Sequence, residues 1–310
     1  MNSKIILPGG AGLVGLNLII ELKQQGYKNI VVLDKHKSNI EIAKHLHPDI
    51  QIEYADLSNQ GDWESTFENA DTAVILQAQI GDLESDTFVK NNITSTENIL
   101  RAIEKHKVPY VVHVSSSVVN SVANDDYTNT KRLQEKLIAQ SQIPSITLRP
   151  TLMFGWFDRK HLGWLSRFMK KSPVFPIPGH GNYIRQPLYV RDFCKIIVSC
   201  IEKRLQGSYN ISGFEKISYV DIIRSIKTAT ESKTIILKIP YSLFYILLKI
   251  WSMFDSKPPF TTDQLKALVA PDEFEIIDWP NIFGVTQTPW TSSIQETFNH
   301  PTYSKVTLNF

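Results

Sequence analysis

Short apolar runs alternate along this chain with longer stretches in which apolar residues recur at helical spacing. Runs of about four to eight apolar residues bounded by turn residues predict buried strands, whereas a period near 3.6 predicts amphipathic helices. The alternation predicts an α/β fold, a Rossmann-type doubly wound parallel sheet with helices on both faces. The predicted strands are 4–7, 30–33, 50–54, 72–76, 110–114 and 145–148, and the predicted helices include 16–22, 88–105 and 127–141.

A glycine-rich turn joins the first predicted strand to the first predicted helix. Gly9, Gly12 and Gly15 form the pattern G-x-x-G-x-x-G, and Leu13 and Val14 stand between the last two. Such glycines allow a tight turn, a close approach of the backbone to a pyrophosphate and tight packing of helix on strand. The N-terminus of the helix would present free N–H groups to the phosphates. An ordinary turn is the alternative, but the order of strand, glycines, helix, strand and acid favours a dinucleotide site.

The acid that completes this order is Asp34, which follows the second predicted strand. A carboxylate at this place in a Rossmann fold accepts hydrogen bonds from the adenosine ribose hydroxyls. It would also repel a 2′-phosphate, so the sequence favours NAD over NADP. The basic residues Lys35, His36 and Lys37 follow directly and could hold such a phosphate, although a solvated loop is the simpler interpretation.

Tyr127 and Lys131 stand four positions apart, downstream of Ser115, Ser116 and Ser117. Positions i and i+4 share one face of a helix. An ammonium beside a phenol favours the phenolate, and the tyrosine can then exchange a proton with a substrate hydroxyl or carbonyl. The Y-x-x-x-K spacing alone is common in helices, so its weight comes from the glycine turn upstream. The serines follow a predicted strand, where hydroxyls also bond the backbone.

Several of these residues follow predicted strands directly. The glycine turn, Asp34, Asp56, Ala78 and Ser117 all fall at carboxyl ends of strands. Ligands of open parallel sheets bind at those ends. No single motif requires this coincidence, so the sequence predicts one site along this edge of the sheet.

Composition and charge agree with one enzyme-sized chain. The 310 residues are 42% hydrophobic, and a formal net charge of +2, scattered along the chain, does not indicate nucleic-acid binding. The two cysteines, Cys194 and Cys200, fall on different faces of one predicted helix, so neither a disulfide nor a metal site is expected. This cysteine usage predicts a cytoplasmic location, as does a start that leads from Met1 straight into a core strand.

Together, these motifs resemble the extended short-chain dehydrogenase/reductase family of NAD-dependent sugar-nucleotide epimerases, dehydratases and 4-ketoreductases. Residues 8–15 are similar to the family's T-G-G-A-G-F-I-G turn, with Pro8 in place of threonine. Residues 148–155 are similar to L-R-P-x-x-x-Y-G, and residues 178–192 to P-G-x-G…R…Y-V-x-D. The segment 209–213 is similar to the Y-N-I-G-x-G strand that follows.

The resemblance implies a role for each matching residue. Tyr127 would be the acid/base, Lys131 its electrostatic partner and ribose anchor, and Ser117 the hydroxyl that polarises the reacting oxygen. Ser117 is preferred over Ser115 and Ser116 because it matches the last serine of the family motif. The implied cofactor contacts are Gly9, Gly12, Leu13, Val14, Gly15, Asp34, Asp56, Leu57, Gln77, Ala78, Asn92, Lys131 and Pro150, and the implied substrate contacts are Ser117, Thr151, His180 and Arg185.

Departures from the family pattern bear on the reaction. Dehydratases of the family carry an acid pair directly after the catalytic serine or threonine, whereas this chain has Val118 and Val119. Dehydration is therefore not expected, which leaves epimerisation, or 4-keto reduction, of a nucleotide-activated sugar. Leu152 stands where many epimerases have a phosphate-contacting asparagine, and it leans towards the reductase branch. The short segment between Ser117 and Tyr127 leaves the identity of the sugar open.

The chain is expected to divide into an NAD-binding part over 1–150 and a smaller C-terminal α/β substrate lobe over 151–310. Segments around 187–212 are expected to complete the sheet of the first part. In the lobe, Arg185 is the candidate for pairing with a pyrophosphate, because a guanidinium matches phosphate oxygens, and a surface ion pair is the alternative. His180 lies between two glycines near the expected substrate.

The most apolar stretch of the chain is 243–254, which only Lys249 interrupts with a charge. It is too short to span a bilayer, which needs about 20 residues. A helix packed on the substrate lobe is the favoured interpretation, and a peripheral membrane contact or a partner surface are the alternatives. The resemblance further implies a homodimer through the helix that carries Tyr127 and Lys131.

A second class of function is also compatible with the glycine turn. Non-catalytic relatives bind a dinucleotide as a sensor or as a structural subunit, and they often lose the tyrosine or the lysine. Ser117, Tyr127 and Lys131 are all present here. An enzyme of nucleotide-sugar metabolism, in a process such as polysaccharide biosynthesis, is therefore favoured.

Overall fold

A seven-stranded parallel sheet is the largest sheet of the protein. The computed structural model describes residues 2–81, 84–254, 260–270 and 274–309. The strands of this sheet are β1 (Ile5–Pro8), β2 (Ile30–Asp34), β3 (Gln51–Tyr54), β4 (Thr72–Ile75), β5 (Val111–Val114), β6 (Ser145–Pro150) and β11 (Gly207–Ile211). Their spatial order is β11-β6-β5-β4-β1-β2-β3. Every residue of β1, β2, β4 and β5 is buried, as expected for central strands that are covered on both faces. The predicted fold class is confirmed.

Helices cover the two faces of this sheet. They are α1 (Leu13–Gln24), α2 (Lys37–Leu46), α3 (Ser85–Phe88), α4 (Ser95–His106), α5 (Asp126–Gln140) and α7 (Val190–Lys203). Alternate residues of β1 point to opposite faces: Ile5 and Leu7 pack in the apolar cluster that includes α1 and α7, and Ile6 packs in the cluster that includes α4. A short 3₁₀ helix at Asp62–Phe67 lies between β3 and β4, and another at Ser117–Asn120 lies between β5 and α5.

The order of the strands creates a switch point between β1 and β4. From β1 the chain builds the sheet towards β2 and β3, and from β4 it builds towards β5, β6 and β11. A crevice opens at the carboxyl ends of two strands where the direction of winding reverses. The glycine-rich turn follows β1 directly, so the topology brings it to this crevice.

A third apolar cluster forms the core of a C-terminal lobe. The remaining elements are β7 (Met153–Phe154), α6 (Leu162–Lys171), β8 (Val174–Pro178), β9 (Ile184–Arg185), β10 (Leu188–Tyr189), β12 (Ile217–Ser218), α8 (Tyr219–Ala229), β13 (Ile235–Ile239), α9 (Tyr241–Phe254), α10 (Thr262–Val269), α11 (Trp279–Phe283), α12 (Trp290–Asn299) and a 3₁₀ turn at Tyr303–Lys305. β11 returns to the main sheet beside β6, with Gly207 opposite Ile146. The division of the chain at residue 150 stays a prediction.

The helix predicted over 88–105 is interrupted in the structure. The chain forms α3, then a π-helix over Val89–Thr94, and then α4. A π-turn adds one residue to the helical repeat, and the apolar periodicity of the sequence does not reveal it. The added residue matters because Asn92 lies in this turn, fully buried.

The stretch 243–254 forms the predicted helix, α9, which contacts the protein along one side only. No residue of α9 is buried. Phe244, Tyr245 and Leu248 are half-buried against the protein. Among the described residues, no helix has both the length and the hydrophobicity that are needed to cross a bilayer.

Candidate active site

The three glycines of the turn face different constraints. Gly9 has φ +77°, and a Cβ there would lie 2.5 Å from the Cα of Gln77. A Cβ on Gly15 would lie 2.2 Å from the carbonyl oxygen of Gly10, so helix and turn pack without room for a methyl group. A Cβ on Gly12 would meet no protein atom closer than 3.7 Å. The fold therefore requires Gly9 and Gly15, whereas the space beside Gly12 is open to a ligand.

The start of α1 and the end of β2 flank this space. No side chain caps the N-terminus of α1, which begins after Gly12. The carboxylate of Asp34 is buried and accepts hydrogen bonds from the backbone N–H groups of Ala11 and His36, each at 3.0 Å. A carboxylate has about four acceptor positions, so it retains capacity for two hydroxyl donors. This donor and acceptor set fits the pyrophosphate and ribose of a dinucleotide.

The residues after β3 form a tight acidic turn. Asp56 accepts hydrogen bonds from Ser58 Oγ at 2.7 Å and from Asn59 Nδ2 at 3.0 Å. Burial opposes ionisation of Asp56, but the hydrogen bonds from Ser58 outweigh it, and the pKa of this carboxyl is lowered. Leu57 is buried, and its carbonyl accepts a hydrogen bond from Asn98 Nδ2 at 3.0 Å. The turn is therefore held rigidly at the edge where the adenine contacts are expected.

The basic residues after Asp34 contact neighbouring elements. Lys35 Nζ donates to Asn91 Oδ1 in the π-helix at 2.5 Å, and Lys37, the first residue of α2, has its Nζ 5.4 Å from the ring centroid of Tyr54 at the end of β3. His36 and Lys37 are exposed to solvent.

Asn92 connects the loop after β4 to the helix α5. Its Oδ1 accepts from the backbone N–H of Gln79 at 2.7 Å, and its Nδ2 donates to Thr130 Oγ1 at 2.9 Å. Thr130 precedes Lys131, so the π-turn helps to position the catalytic helix. Gln77, beside Gly9, donates through Nε2 to Thr96, while its Oε1 is buried without a partner. That orphaned acceptor lies at the crevice, where a bound ligand could donate to it, and Ala78 beside it is exposed.

Tyr127 lies in the first turn of α5. Asp125 caps this helix by accepting from the backbone N–H of Thr128 at 2.8 Å. Ser116 is the serine that acts on the pKa of Tyr127, and its Oγ also accepts from the backbone N–H of Val118 at 3.4 Å. Ser117 begins the 3₁₀ turn. Three consecutive serines look alike in a sequence, and the serine that acts with Tyr127 in the reaction stays a prediction.

Lys131 is buried one turn further along α5, with 1% of its surface exposed. Its Nζ donates to the carbonyl oxygen of Val114 at the end of β5, at 3.0 Å. Burial lowers the pKa of Lys131 to about 7, and Glu135 opposes this shift.

The expected lowering of the tyrosine pKa is not found. Burial raises the pKa of Tyr127, the hydrogen bond with Ser116 opposes this, and Asp125 raises it further. Lys131 is not among these influences.

Sequence reasoning missed an ionic cluster beneath this pair. Glu135 accepts from Arg149 through both carboxylate oxygens, at 2.9 and 2.6 Å, and from Ser115 Oγ at 2.5 Å. Glu135 is four positions after Lys131, and the i, i+4 spacing was the signal that could have revealed it. His113 is fully buried nearby, and burial, with Lys131 and Arg149, holds its pKa well below the usual range. Glu135 is therefore the acid that favours the charged form of Lys131.

The predicted substrate contacts lie in different surroundings. Thr151 is buried, and its Oγ1 donates to the carbonyl of Gln186 at 3.3 Å, just after Pro150 ends β6. Arg185 donates to the carbonyls of Leu268 and Ala270, at the end of α10. His180 is exposed, and its Nδ1 accepts from the backbone N–H of Asn182 at 3.0 Å.

Arg185 lies at the end of α10 in this structure. A guanidinium satisfies the last carbonyls of a helix and complements its dipole. Arg185 makes such contacts here, and its pairing with a pyrophosphate stays a prediction. Within the described ranges, no group of three histidine, cysteine or acidic side chains could hold a metal ion.

The sequence profile of the NAD dependent epimerase/dehydratase family matches residues 5–212, which is more than half of the chain. The chain belongs to this family. The match covers the main sheet, the glycine turn and the helix with Tyr127 and Lys131. The family description names NAD, in agreement with the preference that Asp34 predicted.

Relatives with known activities support membership of the family. The N-acetyl-alpha-D-glucosaminyl-diphospho-ditrans,octacis-undecaprenol 4-epimerase of Escherichia coli O157:H7 is 27% identical over 271 residues, 78% of this chain and 77% of that protein. The decarboxylating sterol-4-alpha-carboxylate 3-dehydrogenase of Schizosaccharomyces pombe is 27% identical over 204 residues, 59% of each chain. The solved UDP-glucuronic acid 4-epimerase of Bacillus cereus, in complex with NAD, has a TM-score of 0.66 and 24% identity over 86% of this chain and 100% of that chain.

Two alanine variants of the glycine turn should separate folding from cofactor binding. Gly15→Ala is expected to destabilise the protein by about 1–3 kcal/mol, because its Cβ would overlap the Gly10 carbonyl. Gly12→Ala is expected to leave thermal unfolding unchanged and to weaken NAD binding, because its Cβ would enter only the open space. Thermal denaturation without NAD and calorimetric titration with NAD measure the two effects. Wild-type NAD affinity in Gly12→Ala would contradict the placement of the pyrophosphate.

Proposed function

We propose that this member of the family transfers a hydride to and from a carbon of a nucleotide-activated sugar, with Tyr127 as the acid/base. The observation that carries the proposal is that the half-buried Tyr127, the hydroxyl of Ser116 and the buried ammonium of Lys131 all lie at the carboxyl edge of the sheet. Three groups of this kind can polarise a sugar oxygen and move its proton while the adjacent C–H bond breaks or forms.

The residues at the crevice would hold the cofactor in a defined order. The open side of Gly12 and the first turn of α1 would receive the pyrophosphate, Asp34 the adenosine ribose and Lys131 the other ribose. NAD supplies the acceptor and donor of the hydride when it is bound. Asp56, Leu57, Gln77, Ala78 and Pro150 would border it, as the resemblance implies, and Asn92 would act through Thr130.

Tyr127 would transfer the proton, and Ser116 would position the sugar oxygen. The Tyr127 oxygen would take the proton from the sugar hydroxyl during oxidation and return it during reduction, while the O–H of Ser116 holds the sugar oxygen in place. Burial raises the pKa of Tyr127 in this structure, so the mechanism requires this pKa to fall in the loaded enzyme. The pH profile of turnover would report that pKa.

We favour epimerisation over net reduction. The E. coli relative and the B. cereus structure are both named as 4-epimerases, and an epimerase reduces its own oxidised intermediate. Reduction of a 4-keto sugar is the second candidate, supported by Leu152 in place of an asparagine. Dehydration lacks an acid pair whichever serine is catalytic, because Ser117, Val118 and Val119 follow Ser116.

Absorbance at 340 nm distinguishes the two candidates. The purified chain, loaded with NAD, would be given a panel of UDP-sugars, and the products separated by chromatography. An epimerase accumulates product without a net change in absorbance, whereas a ketoreductase given NADH and a UDP-4-keto-sugar consumes the NADH. An inert protein that retains NAD tightly across the whole panel would favour the sensor or structural subunit instead.

Single serine variants test which hydroxyl acts with Tyr127. Ser116→Ala is expected to lower kcat by about 10²-fold, because it removes the group that bonds the phenol. Ser117→Ala, the matched control, is expected to retain kcat within a factor of about three, even though the family motif points to this residue. The opposite order of effects, measured by steady-state kinetics, would restore Ser117 as the catalytic serine.

We also propose a homodimer and a cytoplasmic location. Leu133 on α5 is 49% exposed and Val89 in the π-helix is 48% exposed, so an apolar surface is available beside the catalytic helix. Cys194 and Cys200 are free thiols, both buried, which supports a reducing compartment. The sedimentation coefficient of the purified chain would distinguish dimer from monomer.

A further inference from the structure

The apolar stripe of α9 faces away from the protein. Positions i, i+3, i+4, i+7, i+8 and i+11 are occupied by Leu243, Ile246, Leu247, Ile250, Trp251 and Phe254, with exposed fractions from 47% to 86%. A helix on the surface of a globular protein normally turns such a stripe inwards and its polar residues outwards. Here the inner side, with Phe244, Tyr245 and Leu248, is apolar as well. The outward stripe thus has an arrangement that water disfavours.

Exposed apolar residues continue onto the strand before this helix. β13 leads into α9 through Pro240, and its Ile235 and Leu237 are 64% and 50% exposed. Residues two apart on a strand point to the same side, so these two residues are exposed on one side of β13. We call the α9 stripe, with Ile235 and Leu237, the outer apolar surface. A surface of this size on one lobe indicates a partner.

The charged residues near the outer apolar surface favour an anionic lipid surface over a second copy of the chain as the partner. The segment 232–254 contains Lys233, Lys238 and Lys249, all exposed, and no acidic residue. A second copy that docked through the same surface would bring like charges together, since a two-fold interface pairs a surface with itself. An anionic lipid surface provides both an apolar layer for the stripe and phosphates for the lysines.

The dimensions of α9 define how it would lie. Its 14 residues span roughly 21 Å, at a rise of about 1.5 Å per residue, whereas the hydrocarbon core of a bilayer is about 30 Å thick. A helix of this length that is apolar on its outer side lies in the plane of the interface. Contact through the outer side also leaves the inner side against the protein.

We propose that the outer apolar surface docks this chain on an anionic bilayer, with the α9 stripe at the boundary of headgroups and acyl chains. The loop that carries His180, an expected substrate contact, is close to this surface, because Gly179 donates to the carbonyl of Ile239 at 2.7 Å, two residues before α9 begins. Docking would therefore bring His180 near the membrane surface, a consequence that rests on the proposed function.

Vesicle co-sedimentation of the full chain tests the docking. The wild type is expected to bind vesicles of equal parts phosphatidylcholine and phosphatidylglycerol, to bind pure phosphatidylcholine much less, and to dissociate as salt rises. The double variant Ile246→Asp, Ile250→Asp is expected to lose at least about tenfold in apparent affinity, because it places two carboxylates in the stripe. Ile282→Asp on α11, at a position that is 38% exposed, is the matched control and should bind as the wild type does.

Three outcomes would overturn the docking proposal. They are no binding of the wild type to the anionic vesicles, equal loss in Ile282→Asp, and self-association in lipid-free buffer that the double variant abolishes, which would assign the surface to a second copy. Vesicle binding does not depend on turnover. An inert protein that binds vesicles would therefore contradict the proposed function alone, and an active one that ignores them would contradict the docking alone.

Discussion

Tyr127→Phe is expected to lower turnover by about 10³-fold while NAD stays bound. The variant keeps the ring and its packing and removes only the oxygen that hydrogen-bonds Ser116 and would carry the proton. Turnover of the best UDP-sugar, followed by product separation, measures the first effect, and calorimetric titration with NAD measures the second.

Tyr209→Phe is the matched control for this variant. Its hydroxyl lies on β11, outside the site, and donates only to the carbonyl of Gln206, at 3.3 Å. This control is expected to turn over as the wild type does. A Tyr127→Phe enzyme with wild-type kcat would remove the acid/base role from this tyrosine, and with it the proposed mechanism.

Lys131→Met is expected to abolish turnover and yet to stabilise the protein without cofactor. Burial lowers the pKa of Lys131 to about 7 from an ordinary value of 10.5, so the folded state holds its ammonium at a cost. Below pH 7 both the folded and unfolded states are protonated and the cost is complete. Between pH 7 and 10.5 the folded state releases the proton first, so wild-type stability rises with pH and the cost fades.

The advantage of Lys131→Met should therefore be greatest near pH 6, at about 2–3 kcal/mol, and should vanish towards pH 10.5. The value of about 2–3 kcal/mol already includes the loss of the hydrogen bond from Lys131 to the carbonyl of Val114. Thermal unfolding of the protein without cofactor, at pH values from about 6 to 10.5, measures the advantage. Lys136→Met, an exposed lysine on the same helix, is the control and should show no such dependence. A Lys131→Met protein that unfolds earlier at every pH would show that the ammonium stabilises the fold.

The two expected effects of Lys131→Met, loss of turnover and gain of stability, show that the function and the stability of the fold favour different residues at this position. Lys131 lies where a methionine would suit the core better, between the end of β5 and the body of α5. The bidentate ion pair of Glu135 with Arg149 keeps an acid close to it, which favours the charged form. A site that stores such strain is typical of function rather than of packing.

Local patterns were sufficient for much of this protein. All strands of the sheet except β11, the turn at Gly9, the acid at Asp34 and the pair of Tyr127 and Lys131 were predicted from residues within a few positions of each other. Apolar period, glycine and i, i+4 spacing act over such short distances, so the sequence carries them directly. The edge of the sheet at which the cofactor is expected was predicted as well, because the carboxyl ends of parallel strands lie at the same edge.

Only the tertiary structure decided the contacts between distant segments. The π-turn brings Asn92 to Thr130, and Arg185 reaches the end of α10. Each depends on how the chain folds back on itself, which no local pattern encodes. The helix α9 shows this most plainly: the apolar stretch 243–254 predicted a helix packed on the lobe, but which of its sides meets the protein depends on the lobe itself.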